Sequence, residues 1–380
     1  MEKLTVPATE RRRKTRNRIY RFIYSSAEPV TKPQIAEGVG ISQPAVQPNL
    51  AELLEAGVVS EGELQKSTGG RPPIGYYVDA KSKYSIGAAV SANHIRIVIL
   101  DLKGKETASD IVRISELDLN RIAEMLQMRI YALTEKYGIP QERLLGLGVT
   151  FPGIISEDER YIVQSPTLNM QNVDLGGFKS RFELPVFIEN DGSAAAQVEI
   201  TAAENRTALR NFTYLFLENG VGGAVVVNGR EMRGEHNRCG EFGHMILVPN
   251  GKPCSCGRNG CAEAYLSTKR ISTDFAVSLE EFFSILERER RPAFAEVWED
   301  ILYYLALAIH NLHMAFDTEV VLGGMLTEFL PPYLDVLREK LKRLDQSEDC
   351  ETYLHITECP HYAGMIGAAG HFIRQYIHSL

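Results

Sequence analysis

Residues Gly240–Glu263 read GEFGHMILVPNGKPCSCGRNGCAE and hold one imidazole, three thiols and two carboxylates. Cys254, Cys256 and Cys261 fall within eight positions, and His244 lies ten residues upstream of the first. A loop this rich in glycine has too little apolar surface to bury three cysteines as small hydrophobes. Soft thiolates joined by one imidazole make a Cys3His set, which closes a tetrahedral zinc site and leaves no position for a reactive water. The pattern therefore predicts a single structural zinc held by His244, Cys254, Cys256 and Cys261. Those ligands must lose protons to bind, so local folding is coupled to metal supply. Cys239 stands close by without joining the spacing, and Cys350 and Cys359 read as ordinary residues.

Such a loop needs a body to hold it. The chain has 380 residues, more than one compact core usually contains, so two or three domains are expected. Six cysteines in that length make no disulfide framework. No stretch is long and apolar enough to predict a membrane span. The opening residues MEKLTVPATERRRK put no apolar segment behind their basic cluster, which argues against a secretory signal. The expected compartment is the cytoplasm. Charge is uneven: residues 1–83 carry 13 Lys/Arg against 9 Asp/Glu, a surplus of 4, within a chain of net charge −8, so the rest holds −12. A basic head on an acidic body implies that only the head meets an anionic polymer.

In the head, Arg11-Arg12-Arg13-Lys14, Arg16, Arg18 and Arg21 lead into an amphipathic helix with Ile19, Phe22 and Ile23 on its apolar face. Thr31 is a good N-cap for a short helix through VTKPQIAEG, and Gly38-Val39-Gly40 supplies a turn. Ser42 caps a third helix, SQPAVQPNLAELLEAG, with Val46, Leu50, Leu53 and Leu54 as its buried stripe and Gly57 at its end. Short helix, turn and longer helix make a helix-turn-helix plan, and Val58–Ser60 with Ile74–Val78 would pair as a wing. Ser42, Gln43, Ala45, Gln47 and Asn49 form the outward face near the third helix's start. Gln and Asn amides suit adenine edges there. Pro48 lacks the N–H the helix needs and predicts a kink. Arg71, in STGGRPPIGYYVD, is placed to enter a narrow minor groove. This head resembles the winged helix-turn-helix domain of ROK-family repressors, which carry a GGRP-type segment at the same place.

In the body, strands and helices recur twice, which predicts two α/β lobes around a cleft. The stretches GVTFPGII, IENDGSAAA, ENGVGGAVVVNG, GEFGH, CSCGRNGCAE and VVLGGM give residues 84–380 a resemblance to the ROK sugar-kinase body, an actin-like ATPase architecture. By that resemblance the zinc loop shapes a sugar site, and Asn190, Asp191, Glu241, His244 and Glu263 bind the sugar, with Gly153 beside the same cleft. Carboxylates and an amide suit neighbouring hydroxyls, because each accepts or divides hydrogen bonds among them. His244 can serve zinc through one ring nitrogen and a sugar hydroxyl through the other. Asp191 occupies the general-base position of the family's kinases. The phosphate loops depart from the kinase pattern, however. Ala89, Ser91, Ala92 and Asn93 stand where a DxGGT-type loop is expected, and Glu218 opens the second loop with a charge that repels phosphate.

The expected architecture is thus α/β: a winged helix-turn-helix with a basic arm over 1–68, a linker and wing strand over 69–83, then a two-lobed actin-like ROK fold. The first lobe runs over 84–190 and the second over 191–380, with room for the C-terminal helix to return to the first. No catalytic residue is assigned. The function read from these features is a sugar-responsive repressor that binds a double-stranded DNA operator as a homodimer or higher homo-oligomer, with a sugar in the interlobe cleft and no membrane partner. Two other readings share the residues. A ROK-type sugar kinase with an added DNA-binding head would turn over ATP with magnesium. A sugar-sensing protein-interaction module would bind DNA weakly and without salt dependence.

Overall fold

The computed structural model describes residues 8–63, 74–205, 209–344, 352–359 and 361–380. Its first helix, α1 (Ala8–Ser25), buries Ile19, Tyr20 and Ile23. Helix α2 (Lys32–Val39) starts with a capping box: Thr31 N–H donates to Gln34 Oε1 at 2.8 Å, and Gln34 N–H donates to the Thr31 hydroxyl. Helix α3 (Gln43–Glu55) buries Val46, Asn49, Leu50 and Leu53, while Leu54 is half-buried. It runs as one helix through Pro48. Pro44 and Pro48 both lie on its solvent side, where water can meet a carbonyl that the proline leaves without a partner. Arg12 and Arg16 of α1 both pair with Glu52 of α3. Strands β1 (Val59–Glu63) and β2 (Ile74–Val78) form an antiparallel wing, with Val59 opposite Val78.

The body uses one plan twice. Strands β3 (Tyr84–Val90), β4 (His94–Asp101) and β5 (Glu106–Arg113) make an antiparallel meander, followed by helix α4 (Leu119–Tyr137). Strand β6 (Leu144–Phe151) then pairs in parallel with β3. A small sheet of β7 (Ile154–Ile155), β8 (Tyr161–Ser165) and β9 (Met170–Asp174) and the turn α5 (Gly176–Lys179) intervene before β10 (Val186–Asn190) adds parallel to β6. Helix α6 (Asp191–Asn205) starts directly from β10. The second meander is β11 (Phe212–Leu217), β12 (Val221–Val227) and β13 (Arg230–Met232). After α7 (Glu263–Leu266), α8 (Thr268–Phe275), α9 (Leu279–Arg288) and the long α10 (Pro292–Phe316), strand β14 (Glu319–Gly323) joins β11 in parallel. Helix α11 (Leu334–Leu344) leads to β15 (Leu354–Ile356), parallel to β14.

The last helix, α12 (Ala363–Ser379), returns to the first sheet and packs beside α6. The approach is close on both sides: a Cβ on Gly148 would meet the Ala368 carbonyl at 2.4 Å, and one on Gly367 would meet the Ala194 carbonyl oxygen at 1.7 Å. Farther along, Met365, Ala369 and Ile373 of α12 and Val98 and Leu100 of β4 share one apolar cluster with Ile19, Tyr20, Ile35 and Leu50 of the head. The head is therefore seated on the body by buried apolar contact rather than hung from its linker.

Candidate functional site

The metal-capable loop is built first by backbone. A tight turn at Phe242–His244 presents His244, and bridges between Ile246 and Cys261 and between Pro253 and Asn259 close the loop on itself. This brings together the four residues that the spacing singles out. The ligating atoms of His244, Cys254, Cys256 and Cys261 all lie within 4.8 Å of one another. Cys254 Sγ is 3.8 Å from His244 Nδ1, and Cys256 Sγ is 3.7 Å from Cys261 Sγ. A tetrahedron with metal–sulfur bonds of ~2.3 Å has edges of ~3.8 Å. All three cysteines are free thiols. Burial and the neighbouring sulfurs push Cys261 up, whereas at Cys256 burial is outweighed by hydrogen bonds from Arg258 and the thiol drops to about 6. Three sulfurs this close cannot all ionise without a cation among them, so the donor set fits a metal ion.

The polar cluster is assembled from three elements around that loop. Glu263, the first residue of α7, accepts from the Ser255 hydroxyl at 2.8 Å through Oε1 and from Val221 N–H at 3.2 Å through Oε2. It thus straps the cysteine loop to β12. Glu241 places Oε2 3.8 Å from His244 Nε2, so the ring turns one nitrogen to Cys254 and the other to Glu241. Asp191 opens α6 at the end of β10 and accepts from Gly192 N–H at 3.0 Å. Burial pushes Asp191 up to about 6 against the bonds from main-chain N–H groups, and the charges of Glu241 and Glu263 add to the rise. Burial likewise raises Glu241, with Glu263 adding and His244 opposing. Asp191 keeps a partly accessible side chain although protein surrounds it. Mutually repelling, half-buried carboxylates are stabilised by a ligand that donates several hydrogen bonds at once, as a polyol does.

Asn190 is placed differently. Its amide donates to Gly153 O at 2.8 Å and its Oδ1 accepts from Ser193 N–H at 3.0 Å. Those bonds tie the turn after β6 to the start of α6. Glu218 has a role that the sequence reading does not contain: its carboxylate accepts from Met325 N–H at 3.2 Å, next to Gly323-Gly324. Burial, with the Asp191 charge adding, raises it to about 7.

On the head, Ser42, Gln43 and Gln47 are exposed and Ala45 is half-buried. Gln43 and Gln47 stand one turn apart on the outward face. Asn49 does not join them. It is 6 % exposed, and its Nδ2 donates to Ala45 O at 2.8 Å, so the expectation of an outward, base-reading Asn49 is corrected. The cause is helical phase: Asn49 adjoins the buried stripe of Val46, Leu50 and Leu53. Arg71 lies outside the described residues.

A two-lobed body of repeated sheets, with a metal-capable loop beside clustered half-buried carboxylates and a winged helix-turn-helix seated on its first sheet, has the build of a ligand-controlled transcriptional regulator. The chain belongs to the ROK family, whose model matches residues 85–375. It is 28 % identical over 324 residues to the xylose repressor of Bacillus subtilis, covering 82 % of this chain and 83 % of that one. It is also 26 % identical over 254 residues to the DNA-binding transcriptional dual regulator NagC of Escherichia coli, covering 67 % of this chain and 62 % of NagC. The crystal structure of a ROK family transcriptional regulator, a homolog of the E. coli MLC protein, superposes with a TM-score of 0.75 at 22 % identity over 97 % of this chain and 96 % of that chain. A ROK family glucokinase from Streptomyces griseus superposes at 0.65 and 20 % identity over 76 % of this chain and 98 % of that chain. These comparisons set the chain among the sugar-responsive transcriptional regulators of the family. Among the described residues, no helix is long and apolar enough to cross a membrane.

Proposed function

We propose that this sugar-responsive repressor binds an unphosphorylated sugar through Asp191, Glu241, His244 and Glu263, and that binding releases it from operator DNA. The observation that carries the reading is the carboxylate cluster itself: Asp191, Glu218, Glu241 and Glu263 are half-buried, and the last three lie within electrostatic reach of Asp191. A neutral polyol is welcome there, whereas a sugar phosphate adds charge of the same sign. Asn190 holds the turn after β6 to the start of α6 through Gly153 and Ser193. The Cys3His set favours zinc, whose part is to hold Glu241, His244 and Glu263 in place, since four protein donors leave no open position.

Helix α12 supplies the route to the head. Its start abuts Asp191, where a Cβ on Gly364 would lie 3.0 Å from the Asp191 carbonyl oxygen, and its later residues enter the head's apolar cluster. Sugar that prefers one lobe arrangement therefore biases the head by at most its difference in binding free energy between the two arrangements. On DNA, Ser42, Gln43, Ala45 and Gln47 would meet the major groove with Arg71 in the adjacent minor groove. A homodimer would match a two-fold operator. Phosphoryl transfer is disfavoured by Glu218, whose carboxylate takes the Met325 N–H beside the glycine pair, and by the side chains of Ser91 and Asn93 in the β3–β4 turn.

The test is fluorescence anisotropy on labelled duplexes tiled upstream of the protein's own gene, at two salt concentrations, with xylose, glucose, N-acetylglucosamine and their phosphates. The expected result is salt-dependent binding to one duplex, weakened by one free sugar. Selective release by a phosphorylated sugar refutes the neutral-ligand reading, and absence of sequence-selective binding refutes the repressor.

A further inference from the structure

Arg233 follows β13 in the second sheet, yet its guanidinium reaches Glu189 on β10 of the first. Nη1 lies 3.4 Å from Glu189 Oε1, Nη2 pairs with Glu189 Oε2, and Nη2 also lies 3.1 Å from Glu231 Oε2 on β13. Both carboxylates are nearly sealed from water, with side-chain exposures of 5 % and 6 %. One guanidinium thus serves two buried carboxylates from different lobes. Its neighbours on each side belong to the polar cluster. Glu189 accepts from Asn190 N–H at 3.0 Å and directly precedes Asn190-Asp191. The Arg233 carbonyl accepts from Cys239 N–H at 3.1 Å, fixing the loop that delivers Glu241 and His244. A second tie runs alongside, from Asn237 Nδ2 to Ile155 O at 3.2 Å.

We infer that Arg233 is a positioning residue that clasps the two halves of the sugar site, setting Asp191 from one lobe against Glu241 and His244 from the other. The inference rests on the sugar-site reading above. A guanidinium suits the task because its rigid fork meets two carboxylates at fixed angles, which the single ammonium of lysine does not. Its removal leaves two carboxylates buried without a counter-charge, so the lobes separate to admit water.

The experiment compares wild type, Arg233→Met, Arg233→Lys and the double variant Glu189→Gln/Arg233→Met, all as full chains. Isothermal titration with xylose, glucose and N-acetylglucosamine reads affinity, bound zinc is quantified, and hydrogen exchange follows two segments, residues 190–195 and 233–244. Arg233→Met is expected to weaken sugar binding by about tenfold or more, the usual scale for loss of one buried charge partner. Exchange should quicken in both segments while strand β11 and zinc content stay unchanged. The double variant should recover part of the loss, because only one buried carboxylate then lacks a partner, and Arg233→Lys should fall between wild type and Arg233→Met. Unchanged affinity and unchanged exchange in Arg233→Met overturn the clasp. If Arg233→Met fails to fold, Arg233→Lys with wild-type affinity and wild-type exchange in both segments also overturns it. If wild type binds neither xylose nor glucose nor N-acetylglucosamine, the sugar-site reading is what fails, and exchange in the two segments still decides whether the lobes are clasped.

Discussion

Replacing Asp191 by Asn separates what this side chain does for function from what it costs the fold. In the folded protein its carboxyl rises from an ordinary value of 3.8 to about 6, chiefly through burial. A group whose folded value exceeds its unfolded value withdraws stability as pH rises: nothing is lost well below 3.8, and the loss is complete above about 6. At roughly 1.4 kcal/mol per pH unit, the ligand-free protein gives up about 3 kcal/mol at pH 7, an upper figure because the side chain retains some contact with water. Asn keeps an acceptor for the Gly192 N–H and carries no charge. Asp191→Asn should therefore raise the ligand-free melting temperature at pH 7 by up to about 4 °C for a chain of this size. The gain should shrink steadily toward pH 4.5. The same change should weaken sugar binding about 10- to 100-fold, the cost of losing a charged hydrogen-bond acceptor. Differential scanning calorimetry at pH 7 and 4.5, with titration of the sugar at pH 7, checks both halves. A melting temperature that falls, or rises equally at both pH values, refutes the account of Asp191 as a carboxylate held charged against its surroundings.

Cys256→Ser, or treatment with a strong chelator, should release bound zinc, loosen residues 240–266 and abolish sugar binding; spectrophotometric metal titration and circular dichroism read the outcome. Gln47→Ala should cost ~1–3 kcal/mol of discrimination at a single operator base pair, measured by anisotropy on point-substituted duplexes. Asn49→Leu should leave operator affinity within twofold and hold or raise stability, because it removes a buried Asn Oδ1 that has no hydrogen-bond partner at a cost of about 1 kcal/mol for the lost Nδ2 bond. Gly367→Ala should force α12 away from Ala194, lower the melting temperature and weaken the response of DNA binding to sugar before it changes DNA affinity itself.

Several features were legible in the residues alone because local chemistry settles them. The Cys3His spacing fits few other purposes, the N-cap at Thr31 marks the start of α2, and the apolar period of α3 marks a helix in contact with a core. The alternation of strands and helices likewise announces two α/β lobes. Other features depend on which distant surfaces meet. Asn49 reads as an outward amide until the packing of α1 and α2 fixes the phase of α3 and turns it inward. That Asn190 also ties Gly153 to Ser193 emerges only once those residues are brought within reach of it. Nothing in the local sequence links Arg233 to Glu189, 44 residues away, because their meeting requires both sheets to be complete and opposed. The sequence by itself determined the donor types, the metal-ligand spacing and the order of the elements, since these follow from side-chain chemistry and short-range periodicity. Only the tertiary structure decided which polar groups remain free for a ligand and which are consumed in holding the lobes together, because burial and partnership are properties of contacts between segments far apart in the chain.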